Sequence, residues 1–327
     1  MEFYYSGTYR VQSRRAAALS ELSGVWMPSL PGVLDSRRLN DVLARHPSWR
    51  GKVAVTLRPA LVTGRKGLFA TEPDILYKKA FFKADAGTES MTDDIVDVRK
   101  SALFWARRRP HLSALFGEAV YEAATGAIGD VETVIANEYY LHETGHFLGY
   151  DVLSKYDEGY FSIIGRTAWP LVYLEEFRAD MQSFGFALEI LPRGAAVAVF
   201  LYNLFLRFGV HREGLCERGV ARYGTIPFLL FHLLRSVGFL SVDRSRARGA
   251  LVLASLDQAA IAQVMRLCST HAERELTDYE VAISDPTEIA LHGAQYVRRR
   301  MDDFPALAEF QEAVEFLGLT SNVEGVR

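Results

Sequence analysis

The stretch "EYYLHETGHFLGYD", residues 138 to 151, decides how this sequence is interpreted. It contains two histidines four positions apart, His142 and His146, and Glu143 follows the first of them. Residues four apart lie on one face of an α-helix, so the two imidazoles can approach a single point. Imidazole nitrogens are common metal ligands, and this spacing with an adjoining glutamate is typical of a catalytic metal site. We therefore predict a metal site on one helix.

The residues that flank the pair set the bounds of that helix. Asp130 is a good N-cap, because its carboxylate can accept hydrogen bonds from the first free backbone amides. Gly149 is typical of a helix end. These two signals predict one helix over residues 131 to 148. Glu143 then lies beside the ion without binding it, in position to take a proton from metal-bound water, and it is the predicted catalytic base.

A third ligand is expected because catalytic zinc usually takes three protein ligands and leaves one position open. The segment "LVYLEEFRADMQSF", residues 171 to 184, follows roughly thirty residues downstream. Glu176 has Asp180 one helical turn further on, whereas Glu175 has Ala179 at that offset. We predict Glu176 as the third ligand. Asp180 is then expected to accept a hydrogen bond from the outward nitrogen of a ligating histidine.

This combination resembles the gluzincins, a group of zinc metallopeptidases in which a second helix supplies a glutamate ligand and an acidic residue four positions further on. The segment "EEFRAD", residues 175 to 180, is most similar to the corresponding segment of the dipeptidyl peptidase III family. The resemblance extends over roughly residues 138 to 240. It implies zinc-dependent peptide hydrolysis. The residues to which it applies are His142, Glu143, His146, Glu176 and Asp180.

The chain departs from that family in several respects. The family usually has one extra residue between its histidines, and its members are far longer. A histidine that stabilises the transition state there has no counterpart here, since the similar segment carries Arg218 and Arg222. Substrate choice is therefore not carried over. Candidate donors for a developing oxyanion are Tyr223, His232, His211 and Arg222, and none is singled out. The surroundings of His232 in "LLFHLLR" are typical of a core histidine.

Two other functions stay open at this level. Two histidines and one carboxylate also form the facial triad of non-haem iron oxygenases, with a specialised metabolite as substrate. A metal retained for folding alone is the other alternative. Glu143 favours hydrolysis over both, because neither an oxygenase nor a structural site needs a base beside the ion. Zn²⁺ is the predicted cofactor, and Fe²⁺ is the alternative.

Composition limits the partners. The chain has 327 residues, 49% of them apolar, and a net charge of −3, which is typical of an ordinary globular protein and not of a nucleic-acid binder. No secretory signal or membrane span is recognised, so a cytoplasmic protein without a membrane partner is expected. Two cysteines, Cys216 and Cys268, support neither a disulfide framework nor a thiolate site. The expected substrate is a small peptide-like molecule or metabolite, and the oligomeric state is not indicated.

Hydrophobic periodicity gives the expected secondary structure. "GKVAVTLRPAL", residues 51 to 61, and "ILYKKAFFK", residues 75 to 83, are candidate strands, with turns such as "TGRKG", residues 63 to 67, between such runs. From Asp93 onward the period is helical, and everything after Leu171 is expected to be helix.

The predicted fold class is therefore α+β, with a small N-terminal mixed sheet and a predominantly helical body that carries the metal site between two helices. We expect a division into residues 1 to 90, which bear the strands, and residues 91 to 327, the helical metal-binding catalytic body. The polar segment "GTESMTDD", residues 87 to 94, is the best candidate for the boundary.

Overall fold

The computed structural model of the chain describes residues 2–9, 18–27, 32–49, 58–67, 70, 95–150, 155, 160–163, 166–210, 225–245 and 250–318. These residues form a small N-terminal sheet and a largely helical body. Most of the buried apolar side chains belong to the helices. The fold class is α+β, as the sequence predicts.

The N-terminal sheet consists of four strands, β1 Glu2–Tyr9, β2 Ala18–Trp26, β3 Arg58–Lys66 and β4 Ile95–Asp97. The strand order follows the chain. The first two pairings are antiparallel and β3 pairs with β4 in parallel, so the sheet is mixed. In β2, Leu22 and Trp26 are buried while Ser23 and Val25 are less so, which is the alternation of a strand with one covered face.

The body contains most of the helices. In chain order they are α1 Ser36–Arg45, α2 Val98–Arg107, α3 Arg109–Phe116, α4 Glu118–Ile128, α5 Val131–Gly145, α6 Trp169–Ile190, α7 Arg193–Val210, α8 Thr225–Ser236, α9 Gln258–Ala272, α10 Asp278–Ala282, α11 Pro286–Met301 and α12 Phe304–Gly318. A π-helical turn, Glu273–Thr277, joins α9 to α10. Two short antiparallel pairs complete the list: β5 Ser162–Ile163 with β6 Arg166–Thr167, and β7 Leu240–Val242 with β8 Leu251–Leu253.

The helical period predicted from Asp93 onward needs correction in two segments. The segment "DDIVDVRKSALFWARRR", residues 93 to 109, contains strand β4 before α2, because the β-branched Ile95 and Val96 pair along β3. The segment "HLSALFGEAVYEAA", residues 111 to 124, is divided between α3 and α4. The break lies at Gly117, whose φ of 84° is a left-handed conformation that glycine adopts without a steric cost.

The prediction that everything after Leu171 is helix is wrong. Strands β7 and β8 form an antiparallel pair there. In β8, Leu251 and Leu253 are buried and Val252 between them is partly exposed, which is a period of two. With three residues in each strand, this alternation is too short to stand out from the helical pattern around it.

The strand predictions are tested only in part. Of residues 51 to 61, the structure describes those from Arg58 onward, and they begin β3. The turn predicted at "TGRKG", residues 63 to 67, is wrong for residues 63 to 66, because β3 continues to Lys66. The chain turns at Gly67, which has a φ of 62°. The second candidate strand, residues 75 to 83, lies outside the described residues.

The domain division stays a prediction. Its proposed boundary, residues 87 to 94, lies outside the described residues. Strand β4 follows that boundary and still pairs with β3 in the N-terminal sheet. Helix α2 begins at the next residue, so the sheet passes directly into the helical body.

Helices α5 and α6 lie side by side in the core, and α6 also packs against α7, α8, α9 and α11. The two backbones are closest at Gly145, where a Cβ would stand 2.6 Å from the carbonyl oxygen of Ala179. Phe177 and Phe184 of α6 are fully buried nearby in the chain. This contact brings the "HETGH" segment of α5 next to the "EEFRAD" segment of α6.

Among the helices of the described residues, none combines the length and apolar character needed to cross a bilayer. The cytoplasmic location expected from the sequence stays a prediction.

Candidate metal centre

Helix α5 begins as predicted and ends earlier than predicted. Asp130 is the N-cap, and its carboxylate accepts a hydrogen bond from the Glu132 amide at 3.2 Å. The helix ends at Gly145 and not at residue 148. His146 follows as the C-cap but keeps right-handed helical angles, φ −66° and ψ −19°, so its side chain stays on the same face as His142.

The three predicted ligands converge. His142 and His146 approach each other through their Nε2 atoms, which lie 3.2 Å apart. Glu176 of α6 places Oε2 3.2 Å from Nε2 of His142 and Oε1 3.8 Å from Nε2 of His146. Both imidazoles are buried, whereas 32% of the Glu176 side chain is exposed, which gives the site one open side.

The outward nitrogens of both histidines face carboxylates. Nδ1 of His142 lies 2.7 Å from Oδ1 of Asp180, and Nδ1 of His146 lies 3.0 Å from Oε1 of Glu175. Ionised carboxylates only accept hydrogen bonds, so each Nδ1 must carry the proton. In the neutral imidazoles, both Nε2 atoms then present lone pairs toward the Glu176 carboxylate.

Such a set of atoms fits a metal ion. Three acceptors that face one another repel unless a cation lies between them. Zinc bonds of 2.0 to 2.2 Å in a tetrahedral arrangement separate neighbouring ligand atoms by about 3.3 to 3.6 Å. The observed separations of 3.2, 3.2 and 3.8 Å bracket that range. Nitrogen and oxygen donors in this number suit zinc.

The electrostatics of the histidine pair agree with this interpretation. Burial opposes a charge on His142, but hydrogen bonds to the Asp180 and Glu176 carboxylates and their charges outweigh it and raise its pKa well above the usual value. Burial likewise opposes the charge on Glu176, and the hydrogen bond with His142 together with both histidines lowers the pKa of that carboxyl to about 2. The space between the ligand atoms therefore attracts positive charge.

Asp180 lies where the sequence predicts and is held by more partners than the sequence indicates. Arg207 of α7 donates to it from Nε at 2.5 Å and from Nη2 at 2.8 Å. Asn203, also of α7, donates to Oδ1 at 2.8 Å. Burial opposes ionisation of Asp180, but Arg207 and His142 keep its pKa well below the usual value.

Glu175 is the residue that sequence reasoning missed. Helical spacing eliminated it as a ligand, yet it is the hydrogen-bond partner of His146. Arg178 donates to both of its oxygens, from Nε to Oε2 at 2.9 Å and from Nη2 to Oε1, and Lys155 donates to Oε1 at 3.0 Å. A signal was present in "EEFRAD", because Arg178 lies one turn after Glu175 and marks it as an ion-paired carboxylate.

Glu143, the predicted base, interacts electrostatically with His142, His146 and Glu176. Its side chain is half-buried, in contrast to the two histidines. Burial raises the pKa of Glu143, against the opposing charges of His146 and His142. A carboxylate with a raised pKa is better suited to accept and return a proton near neutral pH.

Of the predicted oxyanion donors, His232 lies within the described part of the chain. Tyr223, His211 and Arg222 lie outside the described residues. His232 of α8 is partly buried, and its Nε2 lies 3.0 Å from Oδ2 of Asp303. Its ring also contacts Phe228 edge-on at 6.1 Å between centroids. These contacts give His232 a structural role, in agreement with the expectation of a core histidine.

No protein-family model matches the chain, and no curated protein matches it in sequence. Solved structures do match. DPP III from Caldithrix abyssi is similar with a TM-score of 0.54 and 12% sequence identity, over 96% of this chain and 58% of that one. Dipeptidyl-peptidase III from Corallococcus sp. strain EGB has a TM-score of 0.46 and 14% identity, over 97% of this chain and 61% of that one.

The similarity covers nearly the whole chain, whereas the sequence resemblance was limited to roughly residues 138 to 240. This chain spans 58% of the length of the Caldithrix abyssi protein. At 12% identity the likeness establishes the fold alone. We conclude that the chain has a fold similar to that of DPP III, with a candidate metal site between α5 and α6.

Proposed function

We propose that this protein is a zinc-dependent hydrolase of the gluzincin type that cleaves a peptide or amide bond in a small substrate. The observation that carries the proposal is the convergence of His142, His146 and Glu176 beside the half-buried Glu143. A structural metal site normally closes with a fourth protein ligand and needs no base at its side. An open side with a base next to it favours hydrolysis.

The residues that would hold the ion are His142 and His146, through Nε2, and Glu176, through its carboxylate. When bound, zinc lowers the pKa of a coordinated water to about 7 and polarises a carbonyl group. Glu176 is partly exposed and both histidines are buried, so substrate approaches from the side of the two glutamates.

The surrounding charges favour a bound cation. Behind the histidines, three ion pairs balance one another: Asp180 with Arg207, Glu175 with Arg178, and Lys155 with Glu280. The carboxylates of Glu143 and Glu176 lie beside the histidines, and Nη2 of Arg207 also lies 3.7 Å from Oε2 of Glu176. Glu138 adds a further buried carboxylate near His142 and Asp180. Carboxylates therefore outnumber basic side chains around the histidine pair, which favours a bound cation.

Glu143 accepts the proton from the attacking water in this proposal. Its carboxylate then donates that proton to the leaving amine, which restores the ionised base for the next cycle. The raised pKa of Glu143 supports both proton transfers, because a carboxyl group whose pKa lies closer to neutral pH can both accept a proton from water and donate it to the amine. Asp180 and Glu175 keep the two imidazoles in the tautomer that directs Nε2 toward the ion.

A small substrate is proposed from the fold. The solved protein with a similar fold is named as a DPP III. A short peptide, an amino-acid conjugate or a specialised metabolite with an amide bond is the substrate class that we propose.

The test joins metal analysis with one isosteric substitution. Purified protein should contain about one zinc per chain and should release amine from a panel of short peptides. Glu143→Gln keeps the shape of the side chain and removes its basicity, so zinc should be retained while turnover falls by at least about 100-fold. In labelled water, the wild-type product should acquire solvent oxygen. Activity that required iron and dioxygen and survived Glu143→Gln would replace this proposal with the oxygenase.

A further inference from the structure

Lys155 is a fully buried lysine whose ammonium group has three polar partners. Its side chain is 0% exposed. Nζ donates hydrogen bonds to Oε1 of Glu175 at 3.0 Å and to the carbonyl oxygen of Leu148 at 3.2 Å, and it forms an ion pair with Oε2 of Glu280 at 3.4 Å. A buried ammonium group is costly unless it is paired, so two hydrogen bonds and two carboxylates around one ammonium group indicate a specific site.

The first acceptor connects Lys155 to the metal site. Oε1 of Glu175 accepts from Lys155 and also from Nδ1 of His146, at 3.0 Å in each case. The ammonium group adds to the guanidinium of Arg178, which donates to both oxygens of Glu175, in stabilising the negative charge on that oxygen. An ionised Glu175 can only accept from His146, which fixes the proton on Nδ1 and leaves Nε2 for the ion.

The other two acceptors hold the chain that follows His146. Leu148 lies two residues after that ligand, and its carbonyl is bound directly. Oε2 of Glu280 also accepts from the Tyr150 amide at 2.9 Å. At Gly149, with a φ of 80°, a Cβ would collide with the same carboxylate. The backbone at Gly149 and Tyr150 therefore packs against the Glu280 carboxylate, and Lys155 contacts both that carboxylate and the Leu148 carbonyl.

We propose that Lys155 is a positioning residue for the metal site, acting on His146 through Glu175 and through the Leu148 carbonyl. This inference rests on the proposed metal site. Lys155 does not bind the ion and does not touch the substrate. It sets the orientation and the tautomer of one ligating histidine.

A simpler role must be separated from this one. Glu280 is also buried, and Lys155 could serve only to neutralise it. The two roles differ in what happens when both charges are removed. If Lys155 only neutralises Glu280, removal of both charges restores the melting temperature and the zinc affinity. If positioning is the role, the fold recovers while the ion remains weakly bound.

The experiment uses three variants of the full chain. Lys155→Met keeps the length of the side chain without its charge, Glu280→Gln is the matched control, and the third variant combines both. Zinc affinity is measured by competition with a chelator, and the melting temperature of the metal-free protein is measured in parallel. The visible absorption of the cobalt-loaded protein reports the ligand geometry.

We expect Lys155→Met to weaken zinc binding by roughly 10- to 100-fold, the range for partners of ligating residues. Glu280→Gln should stay within roughly threefold of wild type, since its side-chain oxygen can still accept from Tyr150. The combined variant should recover the melting temperature lost in Lys155→Met while its zinc affinity stays low and its cobalt spectrum stays altered. If Lys155→Met alone does not fold, the combined variant carries the comparison.

Wild-type zinc affinity in the combined variant would overturn the proposal, because Lys155 would then only neutralise Glu280. An equal loss in Glu280→Gln would overturn it too, since the effect would belong to the ion pair. None of these measurements requires turnover. A protein that binds zinc as described but hydrolyses no amide would contradict the proposed function and leave the role of Lys155 standing.

Discussion

Gly145 and Ala179 hold the two helices of the candidate metal site at backbone contact. A Cβ on Gly145 would lie 2.6 Å from the Ala179 carbonyl oxygen and 2.8 Å from its Cα. The neighbouring atoms belong to a helix backbone, so no flexible side chain can move aside. Each residue precedes a functional one, His146 and Asp180 respectively. The separation of the two helices at this contact therefore controls the separation of the ligands.

Gly145→Ala should push α5 and α6 apart. We expect a loss of about 1 to 3 kcal/mol in the free energy of unfolding, as for overpacking in a core, together with weaker zinc binding. Gly126→Ala in α4 is the matched control, because a Cβ there meets nothing within 4 Å. It should leave stability unchanged or raise it by up to about 1 kcal/mol. Chemical denaturation distinguishes the two, and equal stability of both variants would contradict the steric argument.

Glu176 and Glu175 should differ in their effect on zinc content. Glu176→Ala removes a ligand, so the purified protein should lose its zinc. Glu175→Gln removes only the charged partner of His146, and it should retain zinc with an affinity reduced by about 10- to 100-fold. Elemental analysis after dialysis measures both. Full zinc content in Glu176→Ala would assign the third ligand to another acid.

Asp180→Asn tests the partner of the other histidine. Zinc affinity or turnover should fall by about 10- to 100-fold without complete loss, because the ligands themselves are unchanged. Asp303→Asn removes the same kind of carboxylate from His232, which lies in a separate pair. That control should leave zinc binding intact. If the two variants bound zinc equally well, Asp180 would have no part in the site.

Removal of zinc should lower the thermal stability of the wild-type protein. An ion that binds only the folded state stabilises it by about 2.7 kcal/mol when its free concentration is 100 times the dissociation constant. A melting curve with a strong chelator should therefore shift to lower temperature. The same chelator should have no effect on Glu176→Ala, and an equal shift there would indicate a second source of metal stabilisation.

The parts of the site that were predictable from sequence are the local ones. The N-cap at Asp130 and the one-turn spacing of Glu176 and Asp180 follow from helix geometry alone, and the helix start and the approach of His142 to Asp180 agree with them. Helical spacing also identified His142 and His146 as one face. These relations span at most a few residues or one pair of helices.

The rest depended on tertiary contacts that periodicity does not encode. Arg207 is 27 positions from Asp180, and Lys155 is 20 positions from Glu175. Arginine and lysine at such positions look like ordinary members of a helix or loop until the chain is folded. Helical spacing placed Glu175 outside the predicted ligand set and gave no reason to expect its hydrogen bond with His146.

The two histidines of the candidate metal site are supported from different parts of the chain. Asp180, the partner of His142, accepts hydrogen bonds from Arg207 and Asn203 of α7, whereas Glu175, the partner of His146, accepts them from Arg178 and Lys155. The two sets share no side chain, but the histidines meet at 3.2 Å and would hold the same ion, so substitutions on the two sides should combine non-additively in their effect on zinc affinity. Zinc affinity can then be lowered in graded steps from either side, which offers a way to tune how readily the proposed ion exchanges without changing any ligand.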